Sequence, residues 1–461
     1  MRVGKVFSWI WILPLTLPLV PAALAQSPDA GVLTLRDAIE RALSRAPELV
    51  TARESAGEAA ASALLARDVF HPQAFLVTTP AYASGFPVAV AGQPPAAFSL
   101  QLRQTLYNPA RRSEALEAQA RALDRDGTFQ GARAEAALSA VILYTRVWTD
   151  QTLLDCARRR LSARQAILER VTALLREGRQ TELDLERARL EVARARQRLL
   201  DEESESDLDL MEMRRLIGWP GGAPMRLAED PRAALPEPAF ADNLAMARAA
   251  DPQLRALDRE TVILARAASL QKKNWAPVIE AEAQYFRLTR ANHYDEFYNN
   301  FQENNWSVGF TLALPLWSGG RLADARALAK ASASRAESER AARESELEIA
   351  VRRAETAVDR AAAQSSFALR AEGVAQEALR VSRLLLEGGR AAPDSVEQAE
   401  IALADADEEV ARAGLESVAA RSRLLALRGQ LALVASPAEN AAGDPRGARE
   451  KSEGGSRPET P

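Results

Sequence analysis

This 461-residue chain has one cysteine, Cys156, and two histidines, His71 and His293. From so few, neither a histidine-based triad nor a His/Cys zinc site can be assembled. No glycine-rich loop has the spacing that cradles phosphate, and Gly218-Trp219-Pro220-Gly221-Gly222 reads as a helix stop. The five methionines, one of them the initiator, are too scattered for a soft-metal relay. Neither catalysis nor a bound cofactor is expected. Charge of one sign is also missing: 59 basic residues face 63 acidic ones, so nothing argues for a nucleic-acid partner. Aromatics are 5% of the chain, while Ala, Arg, Glu and Leu dominate, as in long packed helices. Beyond the N-terminus no window offers about 18 uninterrupted apolar residues, which excludes a transmembrane helix. Any membrane span must then be made of strands.

The one apolar run, residues 6–20, follows Arg2 and Lys5 and precedes Ala23-Leu24-Ala25, a small-x-small cleavage pattern. This predicts a signal peptide over 1–25 and a mature chain starting near Gln26. An exported protein with a single thiol has no internal disulfide framework.

From 322 to 387 there is no proline and one glycine, Gly373. That predicts a helix of about 100 Å, beyond any single globular core. The rest of the chain arranges itself as two versions of this unit. Residues 33–45 read as a short amphipathic helix capped by Thr34, and Pro47 opens a second helix that His71-Pro72 ends. Strands are expected at 73–79 and 98–106, separated by a Pro/Gly/Ala-rich loop. A long helix follows over 111–177, interrupted in composition only by Gly127 and Gly131, and after a turn at Gly178 a helix returns over 181–217. The landmarks then recur. Ala46-Pro47-Glu48-Leu49 matches Asp251-Pro252-Gln253-Leu254 at a shift of 205, and the turn at Gly178 matches that at Gly389 at 211. Such ordered recurrence is an internal duplication, with repeats over 26–238 and 239–435. The tail 436–461, rich in Gly, Pro, Glu and Arg, is expected to be disordered. The long helices carry seams at Leu347, Val351, Ala354, Val358 and Ala361 and at Ala188, Val192, Ala195 and Leu199. Arg and Glu fill the other faces, which reads as a solvated surface.

In the second strand pair, 278–286 and 306–314, large apolar residues alternate with small or polar ones. Ile279, Ala281, Ala283 and Tyr285 share a face opposite Glu280, Glu282 and Gln284, and Val308, Phe310, Leu312 and Leu314 alternate with Ser307, Gly309, Thr311 and Ala313. Such strands fit a transmembrane barrel with Tyr107, Trp275 and Trp317 at one interface and Tyr285 and Trp306 at the other. A soluble β-domain with its apolar faces inward remains the alternative. Four strands are too few to close a barrel, so closure needs several copies of the chain; three would supply twelve strands.

Taken in order, these features resemble the TolC-type outer-membrane efflux family over 33–433. The carriers are the tandem repeat, its two helix starts at Pro47 and Pro252, and the strand-to-helix corners Leu314-Pro315-Leu316-Trp317-Ser318-Gly319-Gly320-Arg321 and Leu106-Tyr107-Asn108-Pro109-Ala110-Arg111. The resemblance implies a mainly α fold with a small β part. Three chains would form a twelve-stranded transmembrane barrel in the outer membrane, with a helical barrel extending into the periplasm. It implies a periplasmic adaptor and an inner-membrane transporter as partners, with drug efflux, metal efflux and type I protein secretion all open. A periplasmic coiled-coil adaptor is the reading from a different class; adaptors pair one helical hairpin with small β-domains, and this chain has two hairpins. At the hairpin tips, the segments around Gly178-Arg179 and Gly388-Gly389 look like adaptor contacts. The resemblance puts Arg390 and Asp184 at bonds that close the periplasmic entrance, and Asp394 and Glu397 at a carboxylate ring in the pore. Leu385 stands where the family's best-known member has an aromatic, so one gate bond is expected to be missing.

Overall fold

The computed structural model describes residues 32–78, 96–221, 224–235, 242–271, 277–288, 304–316 and 319–431. The expected signal peptide 1–25, the tail 436–461, Trp275, His293 and Trp317 lie outside the described residues.

The first half runs β1 (Val32–Leu33), α1 (Leu35–Arg45), α2 (Pro47–Asp68), β2 (Gln73–Val77), β3 (Ala96–Tyr107), α3 (Pro109–Arg176), α4 (Glu182–Ile217), β4 (Arg226–Leu227) and α5 (Pro231–Ala234). The second runs α6 (Asn243–Ala250), α7 (Pro252–Gln271), β5 (Val278–Leu288), β6 (Asn304–Ala313), α8 (Arg321–Glu387) and α9 (Asp394–Leu427). Helix starts follow their capping chemistry. Thr34 accepts the Asp37 N–H while the Asp37 carboxylate accepts the Thr34 N–H, a reciprocal box that fixes the first turn of α1. Proline at the first position of α2 and of α3 lacks only an N–H that no helix uses there. With 68 and 67 residues, α3 and α8 are each about 100 Å long.

These helices form a layer. Both α2 and α4 pack on α3, as do α7 and α9, and α8 packs on α7 and α9. The short helices stack end to end. At the first junction Glu48 of α2 pairs with Arg215 of α4 at 2.6 Å, and Arg45 donates to the Gly218 carbonyl at 3.3 Å. At the second, Gly429 beyond α9 abuts Ala250, the last residue of α6. The layer therefore reads α2/α4, α3, α7/α9, α8. Gly127, which interrupts the composition of α3, is where α7 crosses: a Cβ there would lie 2.7 Å from that of Ala256.

A belt covers the middle of the layer. The stripe Leu35, Ala38, Ile39 and Ala42 of α1 is buried against Val141 and Tyr144 of α3 and Met213 and Ile217 of α4. The Tyr144 hydroxyl sits between the Leu33 and Glu229 carbonyls at 3.2 and 3.1 Å, pinning the short parallel pair β1–β4 onto α3. Truncating Ile39 to Ala would cost about 2–5 kcal/mol. The seams lie as their spacing requires: Leu347, Val351, Ala354 and Ala361 on α8, and Val192 and Ala195 on α4, are buried. The solvated-surface reading of the charges needs correction at particular sites. Asp150 and Arg160 on α3, Asp251 before α7 and Glu260 on α7 are all buried between helices.

The four long strands form one antiparallel sheet in the order β2-β3-β5-β6, which leaves β2 and β6 as edges. The strands differ from the sequence expectation at their ends: β2 stops at Val77, β3 begins at Ala96, and β5 and β6 reach Leu288 and Asn304. Register sorts the faces. Leu102 lies beside Ala283 and Ala283 beside Val308; Leu100 lies beside Tyr285 and Tyr285 beside Trp306. On the other face Arg103 lies beside Glu282, with their charged groups 3.7 Å apart, and Thr105 beside Glu280 beside Thr311. One face is apolar and exposed, with Phe310 74% and Leu312 68% accessible; the other is polar. An exposed face of that kind is not the core of a soluble β-domain.

Candidate functional site

Both hairpins end in the same device. After α3 the chain turns at Gly178 with φ 72°, and the Arg179 N–H reaches back to the Leu174 carbonyl at 2.9 Å. After α8 it turns at Gly389 with φ 67°, and the Arg390 N–H reaches the Leu385 carbonyl at 2.8 Å. A Cβ at either glycine would meet nothing within 4 Å, so the requirement is the left-handed backbone and not space.

The returning helices start differently. Thr181 and Asp184 form a capping box, with the Thr181 hydroxyl donating to the Asp184 carboxylate at 2.6 Å and the Thr181 N–H at 3.1 Å. These bonds to Thr181 hold the Asp184 carboxyl below its ordinary pKa. Asp394 and Glu397, at the start of α9, instead face across to α3. Arg170 donates to Asp394 at 2.5 Å and to Glu397 at 3.0 and 2.7 Å, so one guanidinium grips both carboxylates. The Arg170 bond depresses the Glu397 pKa, and the two carboxylates raise that of Arg170.

The structure thus brings Asp394 and Glu397 together but does not join Arg390 to Asp184 within one chain. Arg390 is exposed and has no side-chain partner among the described residues. Asp184 is occupied by its own cap, with Arg187 at 3.9 Å, and Arg179 turns to Glu177 at 3.5 Å. The residue missing from the sequence reading is Arg170. Nothing local marks it, because its partners lie 224 and 227 residues away.

Above this clamp a second tier ties the hairpins together. Arg159 pairs with Asp407 at 2.7 Å, and the buried Arg160 with Asp405 at 2.6 Å and with Glu408. Higher still, Asp150 of α3 faces Glu202, Glu205 and Asp209 of α4, with Arg146 opposing them. Burial, reinforced by those acids, pushes its carboxyl up to about 7, and its Oδ2 has no hydrogen-bond partner among the described residues. Among the described residues no group of three or more His, Cys, Asp or Glu is placed to hold a metal, and no helix is long and apolar enough to cross a membrane.

Residues 243–430 match the family model described as outer membrane efflux protein. No curated protein sequence matches the chain. Solved structures do share its fold. The CmeC outer membrane channel of Campylobacter jejuni superposes with a TM-score of 0.70 at 12% identity, covering 86% of this chain and 85% of that one. For the outer-membrane channel OprN the values are 0.69, 15%, 86% and 90%. The MtrE outer membrane channel of Neisseria gonorrhoeae, in its open state, gives 0.62 at 16% identity, with coverage of 86% and 89%.

Proposed function

From a second half that matches the outer membrane efflux protein family and a fold shared with outer-membrane channels, we propose that the chain is one third of a TolC-type export channel. Three copies close a twelve-stranded barrel in the outer membrane and a twelve-helix tube below it. The hairpin tips meet a periplasmic adaptor, and an inner-membrane transporter supplies small molecules or proteins together with the energy to move them.

One observation carries this reading. The main pairings that join the two repeats inside one chain have counterparts left unmade. β3 of the first repeat pairs with β5 of the second, and α3 packs on α7 and α9. Among the described residues the corresponding edges, β6 with β2, α8 with α2 and α8 with α4, make no such pairing within one chain. Those edges are apolar where they are bare. On α8, Phe367, Val374 and Val381 recur at sevens and are exposed, as are Leu183, Leu190 and Leu208 on α4. In lipid, unpaired strand edges cost several kcal/mol per group. A second copy continuing the pattern satisfies all three edges with contacts the chain already makes. The carboxylate-lined tips and the exposed Arg390 then converge at the periplasmic end, where Arg390 is free to reach Asp184 of a neighbouring copy.

Register supplies the test. Gln104 lies beside Ala281. Carrying that pair through the repeat shifts of 210 and 205 places Leu314 of one copy beside Leu76 of the next. With Cys156 replaced by serine, Leu76→Cys plus Leu314→Cys should give disulfide-linked dimers and trimers in outer-membrane preparations. Monomeric migration under oxidation, with the protein folded, would remove the closed ring.

A further inference from the structure

The two helix junctions, though related by the repeat, are filled differently. At the first, Arg45 lies over Gly218, close enough that a Cβ on the glycine would come 2.8 Å from the arginine Cδ. At the second, the corresponding residue is Ala250, which meets Gly429 with its Cβ alone. Beside that shortened side chain lies a recess of about 960 Å³, bounded by α3, α7, α8, α9 and the end of α1. Its size is that of a small-molecule site.

The walls are of two kinds. Leu43, Leu138, Ala350, Ala357 and Leu427 give an apolar floor. Around it stand five arginines, Arg133, Arg255, Arg343, Arg353 and Arg423, against the carboxylates of Glu135 and Asp251. Part of that charge is already used. Arg343 pairs with the buried Asp251 at 2.7 Å, Arg255 lies on the Ala250 and Asp251 carbonyls, and Arg133 donates to Gln130. Arg353 of α8 and Arg423 of α9 have no side-chain partner among the described residues, and they approach the recess from different helices. Two unused guanidiniums over an apolar floor suit a ligand with one anionic end and one apolar end.

We propose that this recess binds an anionic amphiphile, with its carboxylate or phosphate head on Arg353 and Arg423 and its hydrocarbon body against Leu43, Leu138 and Leu427. Such a ligand touches both repeats at once and braces the α7–α9 junction. The site lies within one protomer, so it stands apart from the channel reading and from any closed ring.

Equilibrium dialysis of radiolabelled decanoate against the full-length protein in a neutral maltoside detergent, with matched empty micelles as reference, tests the site. Saturable binding of about one decanoate per chain is expected. Acetate and inorganic phosphate, which offer only a head, should not compete; nor should added neutral detergent, which offers only a tail. Decyl phosphate should compete, since it has both. Arg353→Ser with Arg423→Ser should weaken binding at least about tenfold, the scale of one lost charge-assisted contact. Both side chains are exposed, so the melting temperature without ligand should stay unchanged. Ala250→Arg, which restores the first-repeat arrangement, should abolish binding by filling the recess. Competition by acetate alone, competition by neutral detergent alone, or unchanged affinity in the folded double variant would each overturn the proposal.

Discussion

Arg170→Ala isolates what holds the hairpin ends together. The substitution removes three hydrogen bonds to two carboxylates of α9 and leaves Asp394 and Glu397 three residues apart with no cation between them. The two pairs are not equal. Arg170 is 28% and Glu397 14% exposed, which allows the bidentate contact about 1.5–2 kcal/mol. Asp394 is 45% exposed, and solvent screening limits its share to about 0–1 kcal/mol. The sum, about 1.5–3 kcal/mol, should raise the opening equilibrium of the first turns of α9 by about 10- to 150-fold. Native-state hydrogen exchange reads this directly. Amides of 397–403 should exchange faster by that factor, while those of 411–420, beside the belt, keep wild-type rates. Arg170→Lys should fall between, because a lysine keeps the charge but loses the fork. Glu397→Gln should cost about 1–1.5 kcal/mol alone and little more when added to Arg170→Ala. Strict additivity of the two, or tip exchange within threefold of wild type in Arg170→Ala, would refute the clamp.

Asp150→Asn should weaken a pH dependence. Because its folded pKa is raised from 3.8 to about 7, ionisation costs stability progressively as pH rises between those values. The variant should therefore lose less stability than wild type between pH 4 and 8 and exceed it at pH 8 by at most about 4 kcal/mol, the half-buried Asp209 and buried Glu260 keeping a smaller dependence of the same sign; parallel melting curves would contradict the burial argument. On the sheet, Phe310→Arg places a charge on the apolar face and should cost assembly about 2–4 kcal/mol, whereas Thr311→Arg on the polar face should insert normally. Equal yields of trimer from the two would mean the faces are reversed. Arg390→Ala should raise single-channel conductance in planar bilayers with the trimer intact, and unchanged conductance would reduce Arg390 to a helix-end cation.

What the sequence made legible is what local chemistry decides. The cap at Thr34, the turns at Gly178 and Gly389 and the length of α8 each depend on residues within a few positions of one another. The alternation at 306–314 was readable because a strand's faces follow from period two. Three features were not. The pair β1–β4 is two residues long on each side, too short for any period, and exists because the Tyr144 hydroxyl holds it. Gly127 looked like an interruption of α3, and its purpose is visible only with α7 laid across it. Arg170 and Asp150 sit among many similar charges on one helix, and only the partner helix distinguishes a gripped or buried charge from a solvated one.

The near-equal lengths of α3 and α8, 68 and 67 residues, make the molecule a ruler whose marks cannot be moved singly. A one-heptad deletion in α3 would lift one tip by about 10 Å relative to the other and pull Arg170 away from Asp394 and Glu397. To keep the tips level, the same deletion must occur in α4, α8 and α9. Reach is therefore inherited as a four-part quantity. If the tips meet a periplasmic adaptor as proposed, a lineage facing a wider or narrower gap between its two membranes can adjust that reach only in whole heptads, made in concert, or by lengthening the adaptor.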